Sequence, residues 1–228
     1  MMISFKGSQY PKSVILYALF FYVRYSVSYR DLQEILQERG VDVDHTTLNR
    51  WVVKYSTLIA AQAQKRKQAT TSSWRMDETY IKVKGRWVYQ YRAIDKQGNT
   101  LDFMLSEQRD ADAATAFFKR TIETNGLPEK VVIDKSGANF AGLRNMNMLF
   151  WLCGIYYFID ILQVKYLNNI IEQDHRFIKR ITNPMRGFKP FASASATLDG
   201  IETAHMIRKG QFAMGGKSPF EQFAALAG

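Results

Sequence analysis

Cysteine is almost missing from the 228 residues, Cys153 being the only one. A lone thiol excludes an intramolecular disulfide, a Cys-based zinc site and a CxxC redox pair, and it suits a reducing cytoplasm. Long hydrophobic runs are missing too. The two most apolar stretches, Val14 to Val23 and Met148 to Ile159, span 10 and 12 residues, against the roughly 20 needed to cross a bilayer. Both are therefore expected in a protein core, and no membrane partner is expected. The first is not a secretory signal either, because Arg24 and Arg30 follow it and no small-residue cleavage site does. Acidic residues run short: 21 against 31 lysines and arginines, a net charge of +10. That excess makes a polyanion, either nucleic acid or an acidic membrane surface, the first partner to consider. An apolar content of 46% with 14% aromatics excludes a disordered chain. The length suits one domain of moderate size plus a small one.

Residues 1–58 read as helices. In SVSYRDLQEILQERG, Ser28 is placed as an N-cap with Asp31 three residues on, Leu32, Ile35 and Leu36 form a stripe, and Gly40 ends the helix. In DHTTLNRWVVKYS, Asp44 can cap while Leu48, Trp51, Val52 and Tyr55 share a narrow arc. Thr46, Thr47, Asn49, Arg50 and Lys54 then face outward. Two short helices joined by a glycine-containing turn match a helix-turn-helix, and equally an ordinary helical hairpin. Residues 1–70 carry 10 basic and 5 acidic side chains, which favours the DNA-binding reading.

Residues 59–73 are polar and basic without an apolar period, and read as a linker. The pattern then changes to WRMDETYIKV, WVYQYRAID and TLDFMLS, three strands of a meander, followed by a helix from Asp110 to about Asn125 and a strand ending at Asp134. This order begins a ribonuclease-H-like α/β core over 74–185, which a helix around Glu172 completes. Residues 186–228 read as a helical tail packing on that core.

Three carboxylates stand out. Asp77 lies mid-strand on a face shared with Arg75, Thr79, Ile81 and Val83. A carboxylate turning toward a core needs a metal or a cation. Asp134 ends the apolar strand VVID. Singly, each has an ordinary explanation, a strand-edge acid at Asp77 and an Asx turn at Asp134. Glu172 shares a helix face with Asn168, Asn169, His175, Arg176 and Lys179, while Ile170, Ile171, Phe177, Ile178 and Ile181 occupy the opposite half. Together the three acids suit two Mg²⁺ ions, with Mn²⁺ able to substitute, of the kind that activate attacking and leaving oxygens in phosphodiester displacement. Lys179 would lie toward a DNA phosphate or terminal base. His175 would orient Glu172, contact DNA, or simply sit at the surface.

At these residues the chain resembles a family, the DDE transposases of bacterial insertion sequences, in particular insertion sequence family six. The resemblance rests on WRMDETYIKVKGRWVYQYRAID, VVIDKSGAN, VKYLNNIIEQDHRFIKR and GFKPFASASATLDGIETAHMIRKGQ. It implies a retroviral-integrase-type, ribonuclease-H-like catalytic core preceded by a small all-α helix-turn-helix domain that reads terminal inverted repeats. It also implies Asp77, Asp134 and Glu172 as the metal-binding triad, with Lys179 as the following basic residue. The implied activity is end cleavage and strand transfer into target double-stranded DNA, with cointegrate formation, by at least a dimer. Between Asp134 and Glu172 lie 37 residues, a few more than the family usually has. The apolar stretch 140–163 within them reads either as a repacked core helix and strand or as a degenerate segment.

Asn49 and Arg50 are the expected base readers. Thr46, Lys54, Arg176 and Lys179 are expected against DNA, and Lys65, Arg66 and Lys67 against phosphates or a minor groove, with plain solvation as the alternative. GQFAMGGKS has the wrong spacing for a phosphate loop and no strand before it. Two other functions remain open: a ribonuclease-H-like nuclease without strand transfer, and an inactive relative that only occupies inverted repeats.

Overall fold

Side-chain caps fix where the second and third helices start. Helix α1 spans Lys12–Arg24, α2 Tyr29–Gln37 and α3 His45–Arg66 in a computed structural model that describes residues 3–228. At α2 the Ser28 hydroxyl accepts from the Asp31 amide at 3.1 Å, and the Asp31 carboxylate accepts from the Ser28 amide at 2.9 Å, a reciprocal capping box. At α3 the Asp44 carboxylate accepts from the amides of Thr46 and Thr47 at 2.8 and 3.0 Å and from the Thr47 hydroxyl at 2.6 Å. These bonds, the Thr47 hydroxyl first, hold the Asp44 carboxyl well below the usual carboxylate range.

The remaining elements are β1 (Ser73–Val83), β2 (Arg86–Asp95), β3 (Thr100–Ser106), α4 (Ala111–Asn125), β4 (Lys130–Ile133), α5 (Gly137–Leu152), β5 (Asp160–Gln163), α6 (Asn169–Thr182), α7 (Phe191–Arg208) and α8 (Pro219–Leu226). They form two units. One is helical, made of the described residues up to Gln68 together with Ile178–Gly228; the other is Ala69–Phe177.

In the helical unit, α3 does not stop at residue 58. Ile59, Ala60 and Ala63 continue its buried stripe, so residues 59–66 of the expected linker are helix. Small alanines carry so little hydrophobicity that this part of the stripe is faint in the sequence. Helix α7 is buried on nearly every side, lies against α1 and α3, and is joined by α8. The expectation of a 186–228 tail on the catalytic core is thus corrected: these residues complete the helical unit. At Gly200 a Cβ would stand 2.6 Å from Val23 Cγ1 and 2.9 Å from Ser56 Oγ, so glycine is what lets α7 approach both helices.

The second unit is a five-stranded sheet in the order β3-β2-β1-β4-β5. Strands β1, β2 and β3 pair antiparallel, and β1, β4 and β5 pair parallel. A meander, a helix and parallel strands added on the far side of β1 make the ribonuclease-H-like arrangement. One sheet face packs Trp74, Met76, Tyr91 and Val131 against Phe117 and Phe118 of α4 and Leu143 and Met146 of α5. The apolar run in 148–159 departs from expectation. Of its residues only Phe150 and Ile159 are buried, while Met148, Leu149, Trp151, Leu152, Ile155, Tyr156 and Phe158 are exposed. The segment is a regular helix and strand, but α5 has a single buried face, turned toward α4, so side chains around the rest of an apolar helix face outward. No helix among the described residues is long and apolar enough to cross a membrane.

Candidate active site

The parallel ladder of β1 and β4 decides where two of the carboxylates meet. Arg75 pairs with Val132, and the same register two residues on sets Asp77 beside Asp134, which directly follows β4. Asp77, Glu78 and Asp134 each bring a carboxylate oxygen within 4.8 Å of the others. Among the described residues this is the one group of three or more acidic, histidine or cysteine side chains close enough to share a metal ion. Hard oxygen donors at the end of a sheet suit a divalent cation.

The three acids are not equivalent. Glu78 is buried on the α5 side, where Arg109 Nε donates to one oxygen at 3.3 Å and Asn139 Nδ2 to the other at 3.1 Å. Burial pushes its carboxyl up, and Arg109 and Asn139 only partly counter the shift. Asp134 accepts the Ser136 amide at 2.9 Å through Oδ1. Asp77 points to the opposite face of the sheet, where His175 Nε2 lies 3.2 Å from its Oδ2.

His175 belongs to a buried polar cluster that the sequence reading did not foresee. Arg92, opposite Asp77 in the β1–β2 register, is fully buried and pairs with Asp174 of α6 at 2.7 Å. Its Nη1 lies 3.4 Å from His175 Nδ1. A guanidinium only donates, so Nδ1 is the acceptor and the Nε2 hydrogen is directed at Asp77. Asn168 Nδ2 adds a bond to the Met76 carbonyl at 3.2 Å. The polar residues of α6 therefore split. His175 turns to the sheet, as does Asn168 just before the helix, while Glu172, Arg176 and Lys179 are exposed. His175, 4% exposed, is corrected from a DNA contact to a partner of Asp77. Ile170, expected on the packed half, is 43% exposed. Glu172 sits in the first turn of α6, one turn before His175, and its carboxylate is not among the three clustered ones. The signal for Arg92 was its place opposite Asp77, legible only once the register is known.

In the helical unit Thr46, Arg50 and Lys54 are exposed and Asn49 is half-buried. A cavity of about 550 Å³ opens beside Thr46 and Asn49 and is also lined by Arg186 and Lys189, two basic residues the sequence reading left out. The basic run divides. Lys65 is exposed, Arg66 Nη1 donates to the Ala225 carbonyl at 2.6 Å, and Lys67 Nζ to Gln64 at 2.7 Å. Arg66 and Lys67 thus each have a hydrogen-bond partner within the protein.

A DDE domain family matches residues 71–211. The chain is 43% identical over 206 residues, 90% of its length and 88% of the relative's, to the transposase for insertion sequence-like element IS431mec of Staphylococcus aureus. It is 42% identical over the same span to the transposase for insertion sequence element IS257 in transposon Tn4003 of that species. The chain belongs to the DDE transposases of insertion sequence family six. Among solved structures this transposase is similar to the HTLV-2 integrase catalytic core in complex with magnesium, at 16% identity and TM-score 0.45, covering 68% of this chain and 98% of that one. The catalytic core of BIV integrase gives 17% identity and TM-score 0.44, covering 68% and 95%. The matched range includes Asp77, Glu78, Asp134 and Glu172, of which Asp77, Glu78 and Asp134 meet in space.

Proposed function

We propose that this transposase binds the terminal inverted repeats of its insertion sequence as at least a dimer, cleaves the element's ends and joins them to target DNA, forming a cointegrate. The observation that carries the reading is the meeting of Asp77 and Asp134 at the sheet's end, with the helix bearing Glu172 held to Asp77 through His175. Asp77, Asp134 and Glu172 are the residues that would hold divalent metal. Two Mg²⁺ ions, or Mn²⁺ in their place, supply activation of the attacking oxygen and stabilisation of the leaving oxygen. Glu78 is the less suitable third acid, since each of its oxygens already accepts a hydrogen bond.

The protein side of the chemistry is positioning. His175 fixes one oxygen of Asp77 and leaves the other free. Exposed Arg176 and Lys179 on the helix of Glu172 are placed for phosphate contacts. In the helical unit Asn49 and Arg50 would read base edges while Thr46 and Lys54 contact the backbone. Arg186 and Lys189, across the cavity beside Asn49, are further phosphate candidates. A protein with this task works where the element's DNA lies, in the cytoplasm.

The test is an end-cleavage and strand-transfer assay with Mg²⁺ on inverted-repeat DNA. Asp77→Ala, Asp134→Ala and Glu172→Ala should each abolish nicking and joining while end binding persists. A Glu172→Ala protein that still transfers strands overturns the triad. Nicks without joined products indicate a nuclease, and binding without nicks indicates an inactive relative.

A further inference from the structure

The exposed apolar run is a feature of the α/β unit that the proposed reaction does not use. Trp151, Tyr156 and Phe158 are 73%, 99% and 74% exposed, and Met148, Leu149 and Leu152 stand beside them in the sequence at 56%, 42% and 64%. An aromatic side chain offers about 150–250 Å². Met148, Trp151 and Phe158 line one cavity, and the six side chains together offer apolar area on the order of 800 Å². That figure is about the share one partner contributes to a standard protein interface.

Charge identifies the occupant. A cavity of about 620 Å³ in this surface is lined by one cation and one anion, Arg144 of α5 and Asp160 of β5. Both are exposed, and they form no ion pair with each other. A nucleic-acid surface would carry an excess of basic groups, and a membrane-binding face would have a lysine and arginine rim. One charge of each sign on an apolar field is instead self-complementary. In a two-fold pair Arg144 of each copy would meet Asp160 of the other, the reciprocal pattern of an isologous contact. Strand β5 also lies at the end of the sheet, where edge backbone groups favour pairing over exposure.

We infer that the C-terminal half of α5, the loop after it and β5 form the surface through which two copies of this transposase associate. The inference rests on the reading that at least two copies act together, and it names the surface they share. Light scattering on the full-length, DNA-free protein at micromolar concentration should give a dimer. Trp151→Glu with Tyr156→Glu should give a folded monomer. Arg144→Glu and Asp160→Arg should each weaken dimerisation at least about tenfold by setting like charges opposite one another, and the two combined should restore it. A monomeric wild type, single variants that dimerise normally, or a double variant that stays monomeric overturns the inference. Cys153, exposed within the run, gives a readout without mutation of the surface. Its alkylation should slow as protein concentration rises, and a constant rate overturns the inference. If patch variants still assemble as dimers on inverted-repeat DNA and join ends normally, this surface is wrong while the two-copy reading stands. If the wild type joins ends as a monomer, the two-copy reading itself fails.

Discussion

Arg92 has no solvent exposure and lies where Asp174, His175 and Asp77 can all be reached through it. A buried guanidinium demands partners, and here the partners include His175, which is itself bonded to Asp77, a proposed metal ligand. Removing His175 should therefore loosen Asp77 without touching the ladder beneath it. His175→Ala is expected to weaken divalent-ion affinity by about 10–100-fold, the usual effect of losing a group that orients a metal ligand. Mn²⁺ titration by calorimetry checks this, and unchanged affinity would refute it. Glu78 yields an opposite prediction. Burial raises its carboxyl, so the folded protein holds that proton more tightly than the unfolded chain. Its contribution to stability is complete below the unfolded value and is lost as pH rises through the raised folded one. Glu78→Gln should then be more stable than wild type at neutral pH, with the gain vanishing in acid, as thermal melts against pH would show. Its amide could donate to Asn139 Oδ1, which has no hydrogen-bond partner, and DNA cleavage should survive.

Among the elements, the tightest constraint is the crossing of α7 on α1 and α3. With a Cβ at Gly200 only 2.6 Å from Val23, Gly200→Ala should cost about 1–3 kcal/mol, the range for overpacking a filled core. Urea denaturation measures it, and adding Val23→Ala should recover part of the loss. Legibility also varied by element. Caps were plain, because Ser28, Asp31 and Asp44 are polar side chains at fixed offsets from an apolar stripe, while the strand with Asp77 showed alternation and the one before Asp134 a short apolar run. The extension of α3 was hidden because its buried residues are mostly alanines. The run 148–159 misled because apolar composition does not say whether a neighbour exists to cover it. Glu172 and His175 were placed on one face by helical arithmetic, yet three residues on a helix differ by about 60° of arc. That is enough for one to meet the sheet and the other to meet solvent.

For the whole molecule, the +10 charge predicts that end binding falls steeply with salt. The logarithmic slope should shrink by about 0.9 for each phosphate contact removed, for example in Lys54→Ala or Lys179→Ala. A change in slope without change in sequence preference marks a phosphate contact; lost preference marks a base reader, as expected for Asn49→Ala. Fluorescence anisotropy over a salt series separates the two.

The helical unit is assembled from stretches on either side of the catalytic one, which sets an order on synthesis. Residues 69–177 are contiguous and can fold as soon as they leave the ribosome. Helices α1 to α3 must wait for α7, which follows more than a hundred residues later and emerges after a delay on the order of ten seconds. A nascent chain thus completes its α/β unit before its helical unit. A message broken before α7 would yield a protein with an intact α/β unit and an unfinished helical one, and on the proposed function it would cleave without recognising its own element.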